Sequence, residues 1–172
     1  MLSLASCAVD RSTRQTKVID GQQSWSGKIN ITLETTPTQS FTADFDLFGN
    51  AQSGEIQLYS SMGTTLALAK WDENGGELTL NNKTSQHFDS LQEMTTKLTG
   101  VGFPLQSVFS WLKGNELTPP LGWELIVDSK HLGAEGKKAP KLQTTSTEHL
   151  NMQRLSPTPR AQLHLWIEPV SP

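Results

Sequence analysis

The residues able to do chemistry are few, and their spacing is unhelpful to catalysis. The histidines are His87, His131, His149 and His164. None stands in an H-E-x-x-H or C-x-x-C context, so neither a zinc-protease helix nor a thiolate metal site is read from them. His164 falls opposite the apolar face of the last expected strand and is read as facing solvent. Asp44 and Asp46 share one strand face, as paired carboxylates would. The wet side of an amphipathic strand has the same spacing and is the simpler reading. Gly75-Gly76 and the stretch from Gly133 to Gly136 match no phosphate-cradling loop. No catalytic residue, metal or cofactor is expected, and the chain is read as a non-enzyme.

Cys7 is a different matter. It is the one cysteine, so no intramolecular disulfide exists. A lone cysteine is usually a small buried hydrophobe, but this one stands too close to the terminus to belong to a core. It follows Leu4-Ala5-Ser6, and small residues before a cleavage point are what a signal peptidase accommodates. Leu-Ala-Ser-Cys resembles the lipobox of bacterial lipoproteins, in which the cysteine is acylated and the leader removed. Residues 1–7 are therefore expected to be the remnant of a lipoprotein signal peptide, with its basic and apolar part encoded upstream. Residues 8–24 are polar and read as a tether, with a short helix possible around Gln15 to Asp20.

Residues 25–172 read as a single domain. The whole chain, at 172 residues, is long enough for one core without staples. Its net charge is −3 and it has no long basic run, which argues against nucleic acid and against whole-surface attraction to anionic lipid. No stretch is apolar for long enough to cross a membrane as a helix.

Period-two alternation opens at Trp25, with Ile29, Ile31 and Leu33 on one face. It recurs through Phe41, Ala43, Phe45 and Leu47, through Ile56 and Leu58, through Leu66 and Leu68, and through Leu78 and Leu80. Turn residues separate these runs, notably Asn74-Gly75-Gly76, so an antiparallel meander is expected. Helical spacing follows. Phe88, Leu91, Met94 and Leu98 recur at three and four residues, with Asp89 or Ser90 as cap and Gly100 as stop. A second helix starts at Pro104, carries Leu105, Val108, Phe109 and Leu112, and ends at Gly114. Trp123, Leu125 and Val127 give a further strand, and Ala161 to Ile167 the last. Residues 129–149 are turn-rich and ambiguous, with a short strand possible at Lys141 to Thr145. The expected fold is mainly β: a strongly curved, incomplete antiparallel barrel with helices covering its open, hydrophobic side. The alternative is a compact α+β domain with a filled core. Trp25, Trp71, Trp111, Trp123 and Trp166 fall in or beside these elements and suit either interior.

One loop stands out. Ser60-Ser61-Met62-Gly63-Thr64 lies between two strands, and Met62 has no periodic reason to be there. Single exposed hydrophobes are common, but an unbranched side chain at a loop tip can enter an apolar phase or touch a partner.

The run from Met94 through Leu98-Thr99-Gly100, Pro104-Leu105 and Trp111-Leu112 to Gly114 resembles the LolB family of outer-membrane lipoprotein receptors. The lead-in from Tyr59 to Leu68 is similar too, and the resemblance extends loosely from Trp25 and returns at Gly122-Trp123 and Leu163 to Ile167. It implies an open barrel of eleven strands whose hydrophobic hollow takes the acyl chains of lipoprotein cargo. It further implies a LolA-like periplasmic carrier as donor and outer-membrane phospholipid as destination. The protein would act as a lipid-anchored monomer facing the periplasm. By position, Cys7 matches the lipidated cysteine, and Met62 with Gly63 the membrane-insertion loop, where the family often has Leu. Cavity candidates are Phe41, Phe45, Ile56, Leu58, Leu66 and Leu68 on the strands. On the helices they are Leu91, Met94, Leu98, Leu105, Phe109 and Leu112. The chain departs from the family in its short polar stretch before the first strand and in the few residues between Gly114 and Gly122, where the family places a further strand pair. Two alternatives remain open: a soluble LolA-like carrier, and an envelope lipoprotein with a filled core.

Overall fold

The structure is a computed structural model and describes residues 23–81, 83–115, 118–126 and 148–168. Cys7, the tether, Val127 and most of the ambiguous region, including 141–145, lie outside them.

Among the described residues nine strands form one antiparallel sheet. They are β1 (Ser24–Leu33), β2 (Gln39–Gly49), β3 (Gly54–Tyr59), β4 (Thr65–Asp72), β5 (Gly75–Leu80), β6 (Gln86–Phe88), β7 (Trp123–Leu125), β8 (Glu148–Arg154) and β9 (Ala161–Ile167). Their order is β6-β5-β4-β3-β2-β1-β9-β8-β7, so the first six strands run as a meander. The C-terminal hairpin then adds to the free side of β1. Among the described residues the edges are β6 and β7, which do not pair with each other, and the barrel they form is open. Helices α1 (Leu91–Thr99) and α2 (Leu105–Leu112) lie in sequence between these edges.

Alternation decides which face is inside. Trp25, Ile29, Ile31 and Leu33 of β1 are buried, and register places them beside Leu47, Ala43 and Phe41 of β2. On the other side of β1 they meet Leu165, Leu163 and Ala161 of β9. Leu150 and Met152 of β8 continue the same face. Gly27 lies on this face between Phe45 and Ile167, and a Cβ there would come within 1.9 Å of the Trp166 carbonyl oxygen. Glycine in mid-strand permits that close backbone approach.

Each expected strand and both helices are present, with three differences. Phe88 belongs to β6, and α1 begins after Ser90, whose hydroxyl accepts from the Glu93 amide at 3.1 Å. β6 is too short and polar to show a period. β8 went unread because only Leu150 and Met152 are apolar in it, a run too brief to separate from a turn-rich stretch. Gly100 closes α1 at φ 81°, as a left-handed C-cap.

Gly27→Ala is expected to destabilise the domain by about 1–3 kcal/mol through overpacking at the β1–β9 seam. Urea denaturation checks this; an unchanged midpoint would show that the seam has slack.

Candidate functional site

The concave face is apolar across nearly the whole sheet, and two short helices cover it. Neither helix is long enough to persist alone, so each is held by what it buries. On α1, Met94 is buried and its Sδ would lie 2.7 Å from a Cβ at Gly76, so the thioether sits directly over β5. Ala67 and Ala69 are the inward residues of neighbouring β4, and the small surface they make with Gly76 leaves room for a helix side chain. On α2, Val108, Phe109, Trp111 and Leu112 are buried. Phe109 meets Trp25 edge-on, with ring centroids 5.8 Å apart, and Trp71 at 6.1 Å. The Trp71 indole N–H donates to the Asn50 carbonyl at 2.9 Å, which satisfies its one donor and fixes the ring.

The loop between β3 and β4 is built to project one side chain. The Gly63 amide donates to the Ser60 carbonyl at 2.8 Å, and the Ser60 amide to the Thr64 carbonyl at 2.9 Å. Gly63 has φ 81° and open space where a Cβ would be, so backbone conformation rather than crowding requires glycine. Met62, at the tip, is 91% exposed.

The structure brings most of the twelve cavity candidates together. Phe45, Leu58, Met94, Leu105, Phe109 and Leu112 are in the buried cluster, and Phe41, Ile56, Leu66, Leu91 and Leu98 are partly buried against it. Leu68 is the exception and is corrected here. It pairs with Gln57 and Thr79, on the opposite face from Ala67 and Ala69. A register shift between Leu58 and Tyr59 leaves Leu66 at the irregularity, still touching the core. Trp25, Trp71, Trp111 and Trp123 are buried, which periodicity alone did not assign to one face. The groove of about 660 Å³ lined by Phe88, Ser90, Gln92, Glu93, Thr96 and Lys97 runs along the outer side of α1, away from these residues.

The convex face is polar. Asp44 forms an ion pair with Lys28 at 3.0 Å, which fits the reading of Asp44 and Asp46 as the wet side of β2. Among the described residues no group of three or more His, Cys, Asp or Glu is placed to hold a metal ion. His164 is half-buried rather than freely solvated. Its ring stacks with Trp166 at 5.7 Å and with His149 at 5.6 Å.

Residues 22–134 match the LolB family of outer-membrane lipoproteins. The chain belongs to the LolB family. Among curated proteins it is similar to an outer-membrane lipoprotein LolB of Shewanella woodyi, 26% identical over 100 residues. That match takes in 58% of this chain, and the chain spans about half the length of the relative, 46%. The family match covers β1 to β7 and both helices, the elements that build the covered concave face and the Met62 loop. The resemblance implies eleven strands; nine are present among the described residues, and α2 leads to edge strand β7 without an intervening pair.

Two outcomes follow from this geometry. Phe109→Ala is expected to cost about 3–5 kcal/mol by emptying the space between Trp25 and Trp71, read by chemical denaturation; a loss under about 1 kcal/mol would mean that the helices carry little of the core. His164 titrates below its ordinary value of 6.5 because burial disfavours the cation. The folded state thus binds this proton less readily than the unfolded one. The stability concerned is present above the unfolded value and is lost as pH falls through the folded one. His164→Gln should flatten the decline in melting temperature between about pH 7 and pH 5. An equally steep decline in the variant would assign it to other groups.

Proposed function

We propose that this domain receives the acyl chains of lipoproteins from a LolA-like periplasmic carrier and passes them into the outer membrane. The observation that carries the reading is an apolar concave face that, among the described residues, is covered by two short helices, in a member of a lipoprotein-receptor family. The candidate acyl-binding residues are those of that face: Phe41, Phe45, Ile56 and Leu58 with Leu91, Met94, Leu98, Leu105, Phe109 and Leu112. Entering chains would take the place of contacts between helix and sheet. The helix α1 leans chiefly on β5 and β6, at the edge of the sheet, which favours a gap opening there.

No bond is made or broken in such a transfer, so no catalytic group is required. Each buried CH₂ is worth about 0.8 kcal/mol, and an acyl chain does not cross water unshielded at useful rates. A receiver that binds more weakly than the bilayer lets the bilayer act as sink. In this reading Cys7 is acylated and holds the domain at the membrane it supplies, and Met62 on its Gly63 turn makes first contact with lipid.

A second reading keeps the anchor and drops the transport: an envelope lipoprotein with a filled core. The near-complete burial of Met94, Val108, Phe109 and Trp111 favours it. Uptake of a hydrophobic fluorescent probe, displaced by an acylated peptide, supports the first reading, and its absence supports the second. Met62→Glu separates the delivery step. The variant should fold and load with acylated cargo like the parent and release it into liposomes more slowly; equal release rates would remove Met62 from the mechanism.

A further inference from the structure

The exposed large hydrophobic residues are all at one end of the sheet. Among the described residues they are Met62, Leu80, Leu121 and Leu155. The pairing registers fix their positions. Leu33 at the end of β1 lies beside Gln39 and Ala161, and Ala161 beside Arg154, which in turn faces Trp123. Leu155 follows Arg154, and its amide donates to the Gly122 carbonyl at 2.9 Å, next to Leu121. Across the sheet, Tyr59 pairs with Thr65 at the base of the Met62 loop, and Leu80 pairs with Ala67 on the adjoining strand. Met62 and Leu80 therefore stand on one lip of the open barrel, and Leu121 and Leu155 on the other. Leu121 is 103% exposed, more so than Met62. The turns at the opposite end, around Asn50 to Ser53 and Glu73-Asn74, carry no exposed large hydrophobe among the described residues.

Charge follows the same division. Among the described residues the apolar end carries Lys83 and Arg160, with Arg154 behind them and Lys97 in the last turn of α1, against two exposed acids, Glu34 and Glu124. The opposite end carries Asp72, Glu73, Asp89 and Glu168, with Lys113 and, further in, Lys70 as exposed bases.

We infer that this whole rim, both lips together, is a docking surface for a phospholipid bilayer with anionic headgroups. This rests on the reading of Met62 given above and extends it to Leu121 and Leu155. Met62 stands at the tip of a polar loop, and Leu80, Leu121 and Leu155 stand at a strand end or in turns, divided between the two lips rather than joined in one patch. A fluid apolar phase accepts such prongs individually, whereas a protein partner is matched by a continuous patch. The basic residues behind them sit where lipid phosphates would lie. Chain length permits this orientation. The strand β1 starts at the far end, and its ten residues span about 34 Å. Residues 8–23 reach at most about 55 Å, so a domain anchored at Cys7 can still turn this rim to the same bilayer. Both lips on the lipid would turn this end of the barrel, and with it the end of the gap between β6 and β7, to the bilayer.

Cys7→Ala leaves the full chain without cysteine, so single reporters can be introduced. An environment-sensitive fluorophore is attached in turn to Met62→Cys, Leu121→Cys, Leu155→Cys and, at the opposite end, Asn74→Cys. Vesicles of phosphatidylethanolamine with phosphatidylglycerol are then added. The expected result is a blue shift and a gain in emission at positions 62, 121 and 155 and none at 74. With the leucines replaced singly, Leu121→Ser and Leu155→Ser should each weaken vesicle binding about tenfold, with unchanged melting temperatures. A shift at 62 alone overturns the two-lipped rim while leaving the Met62 loop in place. No shift at any position overturns both. A response at 121 and 155 to a LolA-like carrier but not to vesicles would assign the second lip to protein and overturn the lipid proposal.

Discussion

Everything in this domain depends on the mutual burial of a curved apolar sheet face and two helices that cannot stand alone. The sheet presents Trp25, Ile29, Phe45, Leu58, Leu78, Leu163 and their neighbours on one side. Left bare, that surface would be far larger than a soluble monomer exposes. The helices are nine and eight residues long, below the length at which a helix persists in water. Each part supplies what the other lacks. Phe109, wedged between Trp25 and Trp71, and Met94, seated over Gly76, are where the exchange is tightest. A ligand that is itself a flexible apolar chain could substitute for such contacts without leaving polar groups unpaired.

Much of this was legible in the sequence, because the two periods that matter are clean. The β1 segment alternates from Trp25 to Leu33 and β2 from Phe41 to Leu47, and the caps of α1 are the residues expected by type, Ser90 and Gly100. What failed did so for local physical reasons. In β4 the larger hydrophobes Leu66 and Leu68 suggested the inner face, but the interior there needs small residues beneath α1. Ala67 and Ala69 take those places, and Leu68 faces outward beside Gln57 and Thr79. In β8 the inner face is only Leu150 and Met152, so the alternation is too short to stand out. The tight turn around Gly63 and the exposure of Met62 were readable from composition; the grouping of Leu80, Leu121 and Leu155 with it was not. Those three are distant in sequence and meet only through strand direction and pairing.

The two faces divide the labour differently from the two ends. The convex face carries the Lys28–Asp44 pair, the Lys70–Glu55 pair at 3.3 Å and the ring stack of His149, His164 and Trp166. Exposed ion pairs of this kind add little stability, so the convex face is best understood as keeping the sheet soluble. The ends differ in kind. One is closed by short polar turns, and the other carries apolar tips with basic residues behind them.

That asymmetry bears on how a passive transfer acquires direction. In the transfer proposed above, which makes and breaks no bond, direction would come from a descending order of free energies for the acyl chain and from contact between successive sites. A filled interior helps rather than hinders. If helix side chains already occupy the concave face, incoming acyl chains gain only the difference between their own contacts and those they displace. Affinity then stays below that of the bilayer, where the same methylenes are buried with nothing displaced. The packed core around Phe109 and Met94 would thus be the feature that keeps the receiver weaker than its destination. A roomier, empty hollow would hold cargo more tightly and deliver it less readily.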